Sequence, residues 1–153
     1  MTRLVYLLAA AFGLAALALL YGWNSDAGTG PATIRITSRE VSRIRVDLGR
    51  PGRGPGDTEI VRLNLFNKRI KSAPLGRAEY VCTFTTTRIR SCTASISLPR
   101  GRIVVGGSIR FTEIYELAVL GGTRLYDDAR GTLTAIRTTR RPRRDILLFR
   151  LTG

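Results

Sequence analysis

The sequence predicts an all-β domain of eight strands that follows an apolar N-terminal segment. After residue 30, the apolar residues no longer recur with the period of an amphipathic helix. Short runs rich in Val, Ile, Leu, Thr, Phe and Tyr follow instead, and Gly or Pro separates them. Eight strands at this spacing indicate either a closed barrel or a sandwich, and closure would remove exposed strand edges.

Residues 1–27 are predicted to be a secretory signal peptide, and residues 28–153 the β domain. An uncharged apolar stretch covers residues 4–21, and Ser25 and Ala27 fit the small-x-small pattern of a cleavage site. The alternative is an uncleaved membrane anchor, because such a helix would be about 27 Å long, close to the bilayer core. Both interpretations place the domain outside the cytoplasm, secreted or in the cell envelope.

The chain is strongly basic, with 25 Lys and Arg against 11 Asp and Glu and a formal net charge of +14. Such a surface attracts anionic partners. Because export separates the chain from nucleic acid, we expect an anionic envelope polymer or a lipid as the charged partner. The sequence has no histidine, which excludes the Ser-His-Asp triad and the common zinc sites. We therefore predict neither a metal nor a cofactor.

The predicted strands follow one another along the whole domain. They cover residues 33–46, 58–66, 78–86, 91–98, 102–112, 115–120, 131–138 and 145–151. The segments between them carry the Gly, Pro and Asp residues of turns, as in "LGRPGRGPGD", "KSAPLG", "LPRG", "GGTR" and "RRPRR".

The first predicted strand, "IRITSREVSRIRV", has arginines that share one parity and apolar residues that share the other. The arginines are Arg35, Arg39, Arg43 and Arg45. Because successive side chains of a strand point to opposite faces, we expect all four on one face. That face is either a solvated outer surface or a stripe that binds a polyanion.

The two cysteines, Cys82 and Cys92, lie on neighbouring predicted strands, each on the more apolar face. A hairpin that turns near Thr87 would place them directly opposite each other, at the short Cα separation that a disulfide requires. In an exported chain an even pair of cysteines predicts one disulfide. Two buried free thiols are the alternative.

Three segments together resemble the allene oxide cyclase and dirigent barrel superfamily. They are "GDTEIVRLNLFNKRIKSAPLGRAEYVCTFT", "LAVLGGTRLYDDARGTL" and the terminal "LLFRLTG", within about residues 56 to 152. No single motif among them is specific, and the resemblance rests on their order and spacing. It implies an eight-stranded antiparallel β-barrel with an apolar cavity.

Members of that superfamily cyclise an unstable epoxide or guide the coupling of phenoxy radicals, and confinement in the pocket orients the reactive substrate. The resemblance therefore implies a barrel that binds an apolar small molecule and steers a cofactor-free cyclisation, isomerisation or coupling. The alternatives are a non-catalytic ligand-binding barrel and a basic protein that binds envelope polyanions. Arg124 and Leu125 depart from the family pattern after the Gly-Gly-Thr turn, where members usually have glycine and often an acidic residue.

The resemblance also implies candidate site residues. Arg130 matches the arginine of the family's Ala-Arg-Gly, Glu116 stands where members often have an aspartate, and Asp57 matches the acid that opens an earlier strand. We expect these three as catalytic residues at the barrel mouth, with Tyr80 and Tyr115 supplying hydroxyls to the ligand. The structural alternative is that Arg130 pairs with an aspartate of its own turn. The oligomeric state stays open, because the family suggests trimers whereas the high charge opposes close packing.

Overall fold

The computed structural model of the chain describes most of the domain that follows the N-terminal segment. The described residues are 32–49, 51–67, 73–110, 112–138 and 144–152. The predicted signal peptide, residues 1–27, lies outside them, so its cleavage or retention as an anchor stays a prediction. Among the described residues, no helix has the length and apolar character needed to cross a membrane.

The described residues form an eight-stranded antiparallel barrel in which each strand pairs with its neighbours in sequence and β8 closes onto β1. The strands are β1 (Ala32–Val46), β2 (Thr58–Phe66), β3 (Gly76–Phe84), β4 (Ile89–Leu98), β5 (Gly101–Arg110), β6 (Ile114–Arg124), β7 (Arg130–Arg137) and β8 (Arg144–Thr152). All eight predicted strands are confirmed. They form the closed barrel, not the sandwich that the sequence also allowed.

The Gly-Gly-Thr segment, predicted as a turn, is part of strand β6. Val104 pairs with Gly121 and Val105 with Val119, so β6 contains a bulge and the hairpin forms only after Arg124. Gly122 is required there because a Cβ atom would collide with backbone carbonyl oxygens of neighbouring segments. A glycine pair within a strand thus marked a bulge and a close backbone approach, not the end of the strand.

Strand β1 carries the second bulge, which corrects the prediction for its arginines. Glu40 pairs with Leu63 and Ser42 with Arg62, so Val41 is an additional residue without a partner on β2. The extra residue reverses the alternation of side chains beyond it. The four arginines therefore do not share a face: the first two point outwards, whereas the last two lie on the interior side, opposite the buried residues of β2.

Apolar side chains from all eight strands fill most of the barrel interior. The largest that are almost completely buried are Phe84, Phe149, Leu65, Ile96, Ile103, Leu133, Leu147 and Val105. The cavity that remains has a volume of about 20 Å³, which is enough for about one water molecule. The expected apolar cavity is therefore small, because large side chains occupy its volume and charged groups line its remaining end.

A disulfide joins Cys82 of β3 to Cys92 of β4, and both residues are buried inside the barrel. The two residues are direct partners in the β3–β4 register, with their Cα atoms 4.0 Å apart. The predicted pairing is confirmed, and the strand alternation explains it: both side chains point to the same interior face.

Candidate functional site

Charged and hydroxyl side chains gather inside the barrel at the end where β1, β3, β5 and β7 finish. We call this region the polar end, and it comprises Glu40, Arg43, Glu59, Tyr80, Arg90, Tyr115, Arg137 and Asp145. The small cavity lies among these residues, and the disulfide and apolar side chains complete its wall. The opposite end of the interior is apolar, so polar chemistry inside the described barrel is concentrated at one end.

Glu59 lies at the centre of an ion-pair network, and its side chain is only 1% exposed. Its Oε2 accepts a hydrogen bond from Arg90 Nη1 at 2.5 Å, and its Oε1 lies 2.5 Å from Arg43 Nη1. Arg45 approaches the same oxygen at 3.8 Å, and Arg43 also makes a two-pronged contact with Glu40. A carboxylate this deeply buried needs such partners, because its desolvation otherwise costs several kcal/mol.

The charges of the network determine the protonation of its members. Burial opposes ionisation of Glu59, but the hydrogen bond from Arg43 and the charges of three arginines outweigh it and lower the pKa of Glu59. The hydrogen bond to Glu40 is the main cause that raises the pKa of Arg43, against the effect of burial. Glu59 is therefore a fixed anion, and we assign it the structural role of holding arginines at the polar end.

Asp145 and Arg137 face each other on β8 and β7, with Asp145 Oδ1 3.6 Å from Arg137 Nε. Burial raises the pKa of Asp145, and the opposing effect of Arg137 is smaller. The Arg137 guanidinium also lies over the ring of Tyr115, 5.8 Å from its centroid. Asp145 differs from Glu59 because burial shifts its pKa upwards, whereas the arginines shift the pKa of Glu59 downwards.

Tyr80 and Tyr115 both point into the barrel at the cavity, where burial raises the pKa of each hydroxyl. The Tyr115 hydroxyl is the neighbour of the Tyr80 hydroxyl, and their interaction adds to the raised pKa of Tyr80. The contact does not meet hydrogen-bond geometry, and Tyr80 is only 6% exposed. A buried O–H without a well-aligned partner is costly, so a water molecule or a ligand oxygen in the cavity would compete with Tyr115 for this donor.

The residues predicted as catalytic do not come together. Arg130 lies at the opposite end of the barrel and donates to the carbonyl oxygens of Leu120 and Ala129. Among the described ion pairs, Arg130 pairs with neither Asp127 nor Asp128, so the structure does not show the expected ion pair within the turn. The alternation of β6 explains the position of Glu116: it points outwards, where it accepts a hydrogen bond from Thr134.

Asp57 is buried, but in the loop between β1 and β2. Its carboxylate accepts hydrogen bonds from the backbone N–H groups of Leu48 and Gly54, at 2.9 Å each. These hydrogen bonds lower the pKa of Asp57. The residue therefore anchors the glycine-rich loop, and neither Glu116 nor Arg130 lies beside it.

Sequence reasoning missed several residues of the polar end, although a signal was present. Glu59, Arg90 and Asp145 each have the parity of buried apolar residues on their own strand. A charged residue on the apolar face of a strand indicates either a paired buried charge or a functional group. For Arg43 no such signal existed, because the bulge at Val41 reversed the apparent face.

No protein-family model matches the sequence, and no curated protein matches it. Solved structures do match. A pyocyanin demethylase superimposes with a TM-score of 0.68 at 24% identity, over 79% of this chain and 100% of that one. A pterocarpan synthase dirigent protein superimposes with a TM-score of 0.62 at 15% identity, over 78% of this chain and 88% of that one.

The chain has the dirigent-like barrel fold. A Diels-Alderase from Streptomyces koyangensis has it too, with a TM-score of 0.64 and 18% identity, over 79% of this chain and 64% of the enzyme. The resemblance seen in the sequence is thus confirmed at the level of the dirigent-like fold.

Within the described residues, no three Cys, Asp or Glu side chains are grouped as they would be around a metal ion.

Proposed function

We propose that this dirigent-like barrel binds a small, largely apolar molecule at the polar end and steers its cofactor-free cyclisation or isomerisation. The observation that carries the proposal is the buried Tyr80 hydroxyl, which faces the cavity beside Tyr115 and Asp145. It lies close to the Tyr115 hydroxyl but meets hydrogen-bond geometry with no described residue. A ligand oxygen there would accept a better-aligned hydrogen bond than Tyr115 offers.

Asp145 is the proposed acid. Because burial raises its pKa, its neutral form would donate a proton to the ligand atom that gains electron density. The resulting carboxylate would then remove a proton from another position of the protonated intermediate as the product forms, so an isomerisation or cyclisation consumes no net proton. Tyr80 and the neighbouring guanidinium of Arg137 would stabilise negative charge that develops on a ligand oxygen.

The size of the cavity limits how a ligand enters. Because the enclosed space holds about one water molecule, a larger ligand must displace side chains. Arg45 is the candidate, since its side chain is 36% exposed at the barrel mouth and approaches Glu59 only at 3.8 Å. We propose that the reacting oxygen occupies the present cavity while the apolar body of the ligand replaces the Arg45 stem.

The solved neighbours support a small-molecule role by their names: a demethylase of pyocyanin, a pterocarpan synthase and a Diels-Alderase. Each likeness lies below 25% identity, and fold alone does not transfer an activity. The small-molecule role proposed for this chain therefore rests on the residues of its own polar end.

We also propose that the domain is exported, because an apolar segment with a small-x-small site precedes it and the disulfide suits an oxidising compartment. Intact mass of the chain recovered from an exporting host tests this proposal. Cleavage after Ala27 is the expected result, whereas a full-length chain in the membrane fraction would support the anchor.

Native mass spectrometry of the exported chain tests the main proposal. We expect a mass excess from a bound small molecule in the wild type and in Glu116→Gln, and its loss in Tyr80→Phe/Asp145→Asn. The released compound is then returned to ligand-free protein and followed by liquid chromatography. Conversion by the wild type supports the enzyme, whereas recovery of the unchanged compound supports the non-catalytic binding barrel.

A further inference from the structure

The outer face of the barrel carries a groove of about 600 Å³ across strands β1 to β5, separate from the polar end. Hydrogen-bonding side chains line most of it: Arg62, Asn64, Arg77, Glu79, Ser95, Ser97 and Arg102. The remaining lining residues, Val41, Leu63 and Ala78, are apolar. A concave surface of this size is large enough for a ligand of several rings.

The register of the strands arranges four of these side chains in a row. Asn64 pairs with Arg77, Arg77 with Ser97, and Ser97 with Arg102. The two arginines lie on β3 and β5, so their backbones are about 10 Å apart, with the Ser97 hydroxyl between them. The row runs across the strands, and it alternates positive charge with neutral hydrogen-bonding groups.

The row is not neutralised by the described part of the protein. Neither Arg77 nor Arg102 forms a side-chain hydrogen bond or an ion pair with another described residue, and the same holds for the Ser97 hydroxyl. The acid in the groove, Glu79, is already paired with Arg62 at 2.8 Å. The groove therefore presents two available guanidinium groups to an external anion.

We propose that this groove, lined by the row Asn64–Arg77–Ser97–Arg102, binds a short acidic sugar chain. Arginine forms two parallel hydrogen bonds with a carboxylate or a sulfate, and the serine and asparagine side chains suit sugar hydroxyls. The spacing of Arg77 and Arg102 fits a ligand whose acidic groups recur about every 10 Å along the row.

The order of side chains in the row favours a sugar chain over a bilayer surface. The exposed Arg77 and Arg102 alternate with the neutral Asn64 and Ser97, and a sugar chain carries hydroxyls between its acidic groups, whereas lipid headgroups do not form such an ordered chain. The proposal does not depend on the function proposed for the barrel interior.

Calorimetric titration with tetragalacturonate, an oligomer of an acidic sugar, tests the proposal. We expect saturable binding that Arg77→Gln/Arg102→Gln weakens about tenfold or more. The matched control is Arg35→Gln/Arg150→Gln, which removes the same charge from exposed positions on β1 and β8, and it should retain the affinity within about threefold. The methyl-esterified oligomer, which lacks the charges, should not bind.

Circular dichroism and thermal unfolding establish that both double variants fold. Equal weakening by the two double variants would overturn the proposal, because it would show attraction by net charge without a site. Absence of tetragalacturonate binding would overturn it as well. Vesicles of phosphatidylglycerol are the remaining probe, and binding to them alone would assign the groove to lipid headgroups instead.

Discussion

Arg43 Nη1 lies 2.5 Å from Glu59 Oε1 inside the barrel, although the sequence alternation of β1 places Arg43 on the outer face. The extra residue Val41 reverses the alternation and brings the guanidinium to a carboxylate that is otherwise enclosed. The same reversal leaves Ile44 and Val46 half exposed on the outside. A single bulge thus makes the interior of this barrel end polar and its outer surface apolar.

Glu59→Gln should destabilise the protein strongly. The substitution removes the buried carboxylate that faces Arg90 and Arg43, and the loss of one partner of a buried ion pair costs about 3 kcal/mol or more. Glu79→Gln is the matched control, because its pair with Arg62 is exposed, and we expect at most about 1 kcal/mol there. Urea unfolding measures both, and equal effects would contradict the structural role assigned to Glu59.

Tyr80→Phe should separate stability from function. Because the contact of this buried hydroxyl with the Tyr115 hydroxyl falls outside hydrogen-bond geometry, its removal should leave the free energy of unfolding within about 0.5 kcal/mol or raise it. Ligand binding should weaken. Tyr126→Phe, a buried tyrosine outside the polar end, is the control that should keep ligand binding. A large loss of stability in Tyr80→Phe would show that its hydroxyl has a structural partner.

Asp145 should make the stability fall as the pH rises. Because its pKa in the folded state is raised above the usual 3.8, the folded chain keeps a proton that the unfolded chain loses. Its contribution is therefore lost from about pH 4 upwards, through the folded pKa. Asp145→Asn should flatten this part of the profile in urea unfolding from about pH 4 to 8, and an unchanged slope would contradict the raised pKa.

The contribution of Asp57 to stability should depend on pH in the opposite direction to that of Asp145. Its pKa is lowered in the folded state by two backbone hydrogen bonds, so its stabilisation is present above pH 3.8 and is lost as the pH falls through the folded pKa. Asp57→Asn should lower the thermal midpoint at neutral pH and reduce the acid sensitivity. Ligand binding at the polar end should survive, because Asp57 anchors a loop, and loss of specific binding would argue for a functional role.

Reduction of the Cys82–Cys92 disulfide should cost about 2–3 kcal/mol, since it closes a loop with a sequence separation of 10. Urea unfolding with and without a reducing agent measures this difference. Cys82→Ser/Cys92→Ser serves as the control, because its free energy of unfolding should be the same with and without the reducing agent. If the wild type were equally stable in both, the bridge would be absent or without effect on stability.

The strand pattern was predictable because the alternation and the turn residues are local properties of the sequence. The disulfide followed from the same alternation, since Cys82 and Cys92 share the buried face of one hairpin. The bulges were not predictable in this way: nothing local distinguishes Val41 as an extra residue, and the glycines at 121 and 122 have the composition of a turn.

The candidate site was predicted less well, because motif order does not specify which face a side chain occupies. Tyr80 and Tyr115 were expected to supply hydroxyls inside the barrel, and the structure does place them at the cavity. Arg130 was inferred from a turn motif, and that turn lies at the other end of the barrel. Glu116 was inferred from its place before an apolar run, and the alternation of β6 points it outwards. Asp145 directly follows the basic segment "RRPRR", and its sequence context is therefore that of a solvated loop, not of a buried acid.

The most direct test of the interior site is nuclear magnetic resonance of the labelled domain titrated with cinnamate, an aromatic carboxylic acid. We expect saturable shifts of the backbone amides of Tyr80, Tyr115 and Asp145, with Arg130 at the opposite end unchanged. These shifts should disappear in Tyr80→Phe/Asp145→Asn. Shifts confined to the outer surface, or no saturable shift at millimolar cinnamate, would contradict the assignment of the polar end as a small-molecule site.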